Sequence, residues 1–286
     1  MSDNKNPAKP KAKKRSKLKM FFYLLLLLII GVAGLYVFGP REPVETALRF
    51  DPSQISDDLD AYLAETESDA GNTLPHATKE IVWAFPNSRA KTPLALIYIH
   101  GFSATKGETR PLPDLAAKAL NANLFYTRLE GHGADGDAMA QATVQDWVDD
   151  VAEAIEIGNR IGEKVILVGV STGAPLGTLA ALHPELREKV AGYVMISPNF
   201  KIQNAASSLL TLPYARQWVP LVAGAERSFE VLNELHAKYW TSTYPTVALL
   251  PMAALVKHAR SQPVENIDKP ALFIYSDADT VVDNTV

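Results

Sequence analysis

Lys164–Gly177, KVILVGVSTGAPLG, is the stretch whose reading decides the fold. Val165 to Val168 and Val170 are β-branched or aliphatic with no polar alternation, the pattern of a strand buried on both faces of a parallel sheet. The strand runs into Gly169-Val170-Ser171-Thr172-Gly173, whose two glycines suit a turn too tight for a Cβ. Helical residues follow to Leu182, with Pro175 in the first turn, where a missing N–H costs little. A Gly-x-Ser-x-Gly turn between strand and helix lifts the serine Oγ above the sheet edge. It also turns the next N–H, that of Thr172, toward the place where an oxyanion would form. The same residues could make a plain glycine-rich turn whose serine caps the helix. The flanking sequence has to separate the two.

Upstream, Glu80–Phe85 is strand-like, and Leu94–His100 (LALIYIH) is a second continuous apolar strand, ending in His100-Gly101-Phe102. Leu112–Leu120 has helical spacing, and Asn123–Leu129 is a strand that enters Glu130-Gly131-His132-Gly133. In Thr143–Gly162 the apolar positions Val144, Trp147, Val148, Val151, Ala154 and Ile155 fall on one helical face. Downstream, Val190–Ile196 and Pro270–Tyr275 are strands, the latter followed by Ser276-Asp277-Ala278-Asp279-Thr280-Val281-Val282. Strand and helix alternating in this way predict an α/β fold, a mostly parallel, doubly wound sheet with helices on both faces. Ligands bind such sheets beyond the carboxyl ends of the strands, where His100–Phe102, Glu130–Gly133, Ser171 and Ser197–Asn199 all fall. Residues 201–263 break the rhythm with Leu209, Leu210, Trp218, Leu221, Tyr239, Trp240 and Tyr244. An insertion there is expected to form a helical cap over the site and to line an apolar pocket. Substrate-binding residues are not otherwise assigned.

Acyl transfer by a serine needs a nucleophile, a base, an acid that orients the base, and two N–H donors for the oxyanion. Ser171 fits the nucleophile, and the backbone N–H groups of Phe102 and Thr172 fit the donors. Asp279, in the loop after a buried strand, fits the acid; Asp277 is its rival, and either could instead close a solvated turn.

The succession His100-Gly101-Phe102, the loop Arg128–Gly133 (RLEGHG), the elbow around Ser171 and the turn Asp279-Thr280-Val281-Val282 resembles the α/β-hydrolase superfamily. Within it the chain is most similar to the monoacylglycerol lipase, carboxylesterase and serine aminopeptidase group. The resemblance covers roughly residues 78–286. It implies an α/β-hydrolase fold, a Ser-Asp-His triad, a helical cap, no cofactor and no metal. The expected activity is hydrolysis of carboxylic esters with apolar acyl groups; a peptidase of the aminopeptidase type and a non-catalytic binding protein on the same fold are the alternatives. In that family the base is a histidine after the acid, and no histidine follows Asp279 in these 286 residues. The sequence therefore reads as truncated, lacking the last strand, the last helix and the catalytic His, and the chain as written is expected to be nearly inactive with an exposed sheet edge.

The net charge of −4 hides an asymmetry, because residues 1–19 carry eight Lys/Arg and a single acid, Asp3. That stretch is expected to be a basic, disordered, cytoplasmic tail. With the positive charge confined there, a nucleic-acid partner is not supported. Met20–Phe38 holds no charge and is apolar all round, so residues 20–39 are predicted to be a transmembrane signal-anchor helix. The lysines before it place the body on the far side of the membrane, which suits a single-pass protein of a bacterial inner membrane facing the periplasm. A cleaved signal peptide is the rival, and no clean A-x-A site lies around Leu35–Arg41. Residues 40–77 are polar and acidic and read as a tether with a short helix near Ile55–Ala64. The absence of cysteine excludes disulfides, thiolate chemistry and a lipobox.

Overall fold

The computed structural model describes residues 13–283 and 285. Its contacts divide the chain into two units, one running up to Arg41 together with Leu212–Tyr214, the other beginning at Glu42 and taking the rest.

The first unit is built on α1 (Lys13–Phe38). Residues 1–12 of the predicted disordered tail lie outside the described residues. Lys13–Lys19, also expected to be disordered, are instead the first turns of the helix. Lys, Arg and Leu are good helix formers, and adding a turn to an existing helix is far easier than nucleating one. Lys17–Phe38 has a mean hydropathy of 2.6 with none of it buried, and by length and composition it is apolar enough to cross a membrane. The helix closes with the Gly39 N–H donating to the Leu35 carbonyl at 2.9 Å, and Pro40 prevents its continuation. Arg41 folds back to donate to the Tyr36 carbonyl at 3.0 Å, and the Tyr214 N–H donates to Pro40 O at 2.7 Å.

The second unit is built on a six-stranded sheet in the order β1-β3-β2-β4-β5-β8. Its strands are β1 (Glu80–Val82), β2 (Thr92–Ile99), β3 (Asn123–Tyr126), β4 (Gly162–Val170), β5 (Gly192–Ile196) and β8 (Ala271–Ile274). All pairs are parallel except β1 with β3. Along β2, Ala95, Ile97 and Ile99 face one core while Leu96 and Tyr98 face the other. The first core is covered by α5 (Val144–Ile161) and α6 (Gly173–Leu182), the second by α3 (Leu112–Leu120). A reciprocal capping box, Thr143 with Asp146, starts α5. At the open edge, β8 leaves Leu272, Phe273, Ile274 and Tyr275 exposed.

Residues 42–77 do not form a tether. Ile55, Leu59, Tyr62 and Leu63 are buried in the main core, the last three on α2 (Leu59–Asp69), which Asp58 caps by accepting the N–H groups of Asp60 and Ala61. Tyr62 donates its hydroxyl to Glu153 on α5 at 2.8 Å, and Glu153 also pairs with Lys79. Arg160 donates to the carbonyls of Pro52, Ile55 and Ser56, and Arg49 binds Asp149 through both its backbone N–H and its guanidinium. Two polar groups of this segment, Arg49 and Tyr62, bind acids of α5 about a hundred residues away in sequence, and its own Asp60 and Glu67 pair with Arg89 and Arg128.

The inserted region holds α7 (Ala215–Ala223), α8 (Glu234–Tyr239) and a hairpin of β6 (Glu226–Ser228) with β7 (Thr243–Pro245). Its expected end at residue 263 is too late. The helix α9 (Leu249–Arg260) buries Met252, Leu255, Val256 and Ala259 in the main core beside α6, so it belongs to the layer that flanks the sheet. The short α4 (Gly136–Gln141) lies under β7.

Candidate active site

Strand register brings the predicted site residues to one edge. Ile99 pairs with Gly169, Val170 with Ile196, and Ile196 with Ile274, so four strands end nearly level. The segments beginning at His100, Ser171, Ser197 and Tyr275 leave from that edge.

Ser171 sits at φ +48°, in the left-handed region that an L-residue avoids. The conformation is imposed by its neighbours. The Ser171 N–H donates to Ile196 O at 2.9 Å, and its carbonyl accepts from Asn199 N–H at 3.0 Å and Ala174 N–H at 3.1 Å. Gly173 is required by close approach, since a Cβ there would lie 2.2 Å from the Ile99 carbonyl oxygen. The helix that follows the serine thus starts hard against the end of β2. Gly101, which follows His100 there, also lies against the serine: a Cβ on it would sit 3.1 Å from Ser171 Cβ. The N–H groups of Phe102 and Thr172 make no backbone hydrogen bond among the described residues.

His100 and His132 knit the loops together. His100 donates from Nδ1 to Gly101 O at 2.9 Å and accepts the Leu129 N–H on Nε2 at 3.1 Å. His132 donates from Nδ1 to Glu130 O at 3.1 Å, its ring packed against His100, Phe102 and Trp147, and its buried Nε2 has no partner among the described residues. Burial holds His100 well below the usual histidine range, reinforced by His132, and burial pushes His132 down to about 4. Both rings are neutral at pH 7. The other histidines have different engagements: His76 with the Lys238 carbonyl, His183 with the Glu185 N–H, His236 with the Leu232 N–H, and His258 with Gln262. Among the described residues no histidine hydrogen-bonds to Ser171 or to Asp279.

Asp279 lies half-buried in the turn after β8, where its Oδ1 accepts the N–H groups of Val281 at 2.8 Å and Val282 at 3.0 Å. Its carbonyl takes a hydrogen bond from Gln203 at 2.7 Å. Asp277 is exposed. The turn-closing role weighed for both acids is therefore realised at Asp279, which leaves Oδ2 free of hydrogen bonds among the described residues.

The inserted region meets the edge directly. The Thr241 N–H donates to Ser103 O at 2.7 Å, and Thr105 donates its hydroxyl to Tyr239 O at 3.1 Å. The Phe102 ring meets Tyr244 edge-on with centroids 5.4 Å apart, in an apolar cluster with Met139 and Ala248. The apolar residues expected to line a pocket divide: Tyr244 joins this cluster, whereas Leu221 is exposed.

One residue at the edge was not legible beforehand. Glu108 accepts the Gly101 N–H at 2.8 Å and the Tyr98 hydroxyl at 3.2 Å, both on Oε2. In sequence it is one charged residue in a polar loop, with nothing to distinguish it from a solvated one.

Residues 96–285 match the family model described as the alpha/beta hydrolase family. A thermostable monoacylglycerol lipase from Bacillus sp. (strain H-257) is 27% identical over 190 residues, covering 66% of this chain and 72% of that protein. Among solved structures, one from a study of two metagenome-derived lipolytic enzymes, LipS and LipT, superposes with a TM-score of 0.58 at 22% identity, over 74% of this chain and 80% of that one. A soluble variant of monoglyceride lipase from Saccharomyces cerevisiae, in complex with a substrate analogue, gives 0.54 at 14% identity, over 72% and 75% of the two chains. At those identities the structural likeness speaks for the fold alone.

Proposed function

The chain belongs to the alpha/beta hydrolase family, and from that premise we propose that it is a serine hydrolase that cleaves carboxylic esters with apolar acyl groups through an acyl-enzyme on Ser171. The observation that carries this reading is Ser171 at φ +48° between a parallel strand and a helix, beside two N–H groups that have no backbone partner among the described residues. In this reading Ser171 Oγ attacks the ester carbonyl and the Phe102 and Thr172 N–H groups receive the oxyanion, a term worth ~10²–10³ in rate per donor. Asp279 is the acid that orients the base. A base takes the Ser171 proton and returns it to the leaving alcohol, and water then releases the acid; among the described residues no histidine hydrogen-bonds to Ser171. The half-buried Phe102 ring, backed by the buried Met139 and Tyr244, gives the edge an apolar face that suits an acyl chain, and the lipase relative points to lipid esters as the substrate class.

The N-terminal helix supports a membrane anchor, with a signal sequence as the other reading of the same length and composition. The body would then work at a lipid surface, on the periplasmic side if the basic residues stay in the cytoplasm.

A fluorophosphonate probe tests the reading. Protein expressed from its whole reading frame, with the N-terminal helix in place, is expected to be labelled at Ser171, and Ser171→Ala to remain unlabelled. Absence of label on the unsubstituted protein sinks the proposal and favours the binding-protein alternative. Turnover of a p-nitrophenyl ester against an aminoacyl anilide separates esterase from peptidase.

A further inference from the structure

We propose that Glu108 is a positioning residue for acyl transfer at Ser171: its carboxyl holds the N–H of Gly101, and this fixes where the next N–H, that of Phe102, points. The proposal rests on the reading of Ser171 as the nucleophile and adds a residue that lies outside every motif used to reach it.

The geometry begins with a glycine. A Cβ on Gly101 would lie 2.6 Å from Glu108 Oε1 and 3.1 Å from Ser171 Cβ, so a larger residue would displace the carboxyl from its place beside the serine. Glycine brings freedom at both φ and ψ. The structure removes that freedom by gripping the two peptide planes that meet at the Gly101 Cα. On the first plane, the Gly101 N–H donates to Glu108 Oε2 at 2.8 Å. On the second, the Gly101 carbonyl accepts from His100 Nδ1 at 2.9 Å and from the Ala104 N–H at 3.2 Å. The peptide is planar and trans, so fixing the Gly101 carbonyl on one side sends the Phe102 N–H the opposite way. Without Glu108 the first plane is loose, and only the second is held, by His100 and Ala104.

Glu108 is itself held in place. The Tyr98 hydroxyl donates to its Oε2 at 3.2 Å, and Thr109 donates its hydroxyl to the Tyr98 oxygen at 2.8 Å. Tyr98 is fully buried on β2, so the carboxyl is referenced to the strand that leads into His100 and Gly101. The two cations nearest in sequence are engaged elsewhere. Lys106 pairs with Glu80 at 2.7 Å; Arg110 pairs with Glu80 at 3.1 Å and with Asp114 at 3.3 Å. Burial pushes the Glu108 carboxyl up to about 7, opposed only by the bonds from Gly101 and Tyr98. Among the described residues this carboxyl, kept beside the nucleophile, has no counter-ion, so it is not there to form an ion pair. What it does supply is an acceptor aimed at one N–H.

The acceptor, not the charge, is the point at issue, and three substitutions separate them. Glu108→Gln keeps an acceptor oxygen at the same reach and loses the charge; Glu108→Asp keeps the charge and withdraws the oxygen by one methylene; Glu108→Ala removes both. Each is made in the full chain from the whole reading frame and assayed with p-nitrophenyl butyrate, with a thermal unfolding midpoint for every variant. Glu108→Ala and Glu108→Asp are expected to lower kcat by ~10²-fold, the scale of a lost oxyanion donor, with KM changed by less than about 3-fold. Glu108→Gln is expected to recover kcat to within about tenfold of the unsubstituted protein. A Glu108→Ala variant that folds and keeps its kcat overturns the proposal. So does a Glu108→Gln variant that melts normally yet is as slow as Glu108→Asp is predicted to be. If Glu108→Ala does not fold, the Gln and Asp variants still decide. Unsubstituted protein that takes no fluorophosphonate overturns the nucleophile reading itself, and the Glu108 proposal falls with it.

Discussion

Ser171→Gly should unfold at a higher temperature than Ser171→Ala, although neither can be acylated. The backbone at residue 171 is held at φ +48° by hydrogen bonds to Ile196 O and from Asn199 and Ala174 N–H. An L-residue in that region carries about 1–2 kcal/mol of strain from its Cβ, whichever short side chain it bears. Alanine keeps the Cβ and therefore the strain. Glycine relieves it but loses about 0.5–1 kcal/mol through its more flexible unfolded chain. The balance favours glycine by about 0.5–1 kcal/mol. For a body of this size each kcal/mol moves Tm by roughly 2–4 °C, so the two variants should differ by about 1–4 °C. Paired thermal melts by circular dichroism in the same detergent measure the difference, and urea titrations of both give it as a free energy. Coincident melting curves, or a more stable alanine variant, would refute the claim that the turn stores strain at the serine.

Gly173→Ala places a Cβ 2.2 Å from the Ile99 carbonyl, so α6 has to move off β2; a loss of about 1–3 kcal/mol in urea titration is expected, together with slower fluorophosphonate labelling. A chain beginning at Glu42 should fold cooperatively, whereas one beginning at Thr78 loses Ile55, Leu59, Tyr62 and Leu63 from the core and should not; soluble yield and a cooperative melt distinguish the outcomes. His132 is neutral in the fold because burial lowers it to about 4 from its ordinary 6.5. Between those values the unfolded chain binds the extra proton, so His132 contributes stability above about pH 6.5 that is lost as pH falls toward 4. Glu108 and Asp150, pushed up by burial to about 7 and about 8, act in the opposite sense. The readout is therefore a difference: the stability lost by the unsubstituted protein between pH 7 and pH 5 should exceed that lost by His132→Asn, and equal losses would contradict it.

What could be read from the residues is what local rules enforce. Val165–Val170 needs both faces of a sheet, the glycines around Ser171 need a tight turn, and Met20–Phe38 has no polar face to show water. Those features fixed the fold class, the elbow and the apolar helix without reference to anything distant. Three others depended on partners far along the chain. Residues 42–77 look like a polar spacer until Arg49 and Tyr62 meet their acids on α5. The helix α9 looks like cap until its apolar face is seen against α6, because an apolar stripe does not say what covers it. Glu108 is an ordinary loop carboxyl until the turn after β2 brings the Gly101 N–H onto it. The sequence by itself determined which residues had to be buried and where the chain had to turn. Only the tertiary structure decided which charges were paired and which N–H groups were held, since hydrogen bonds and ion pairs depend on distances that neighbours in space set and neighbours in sequence do not.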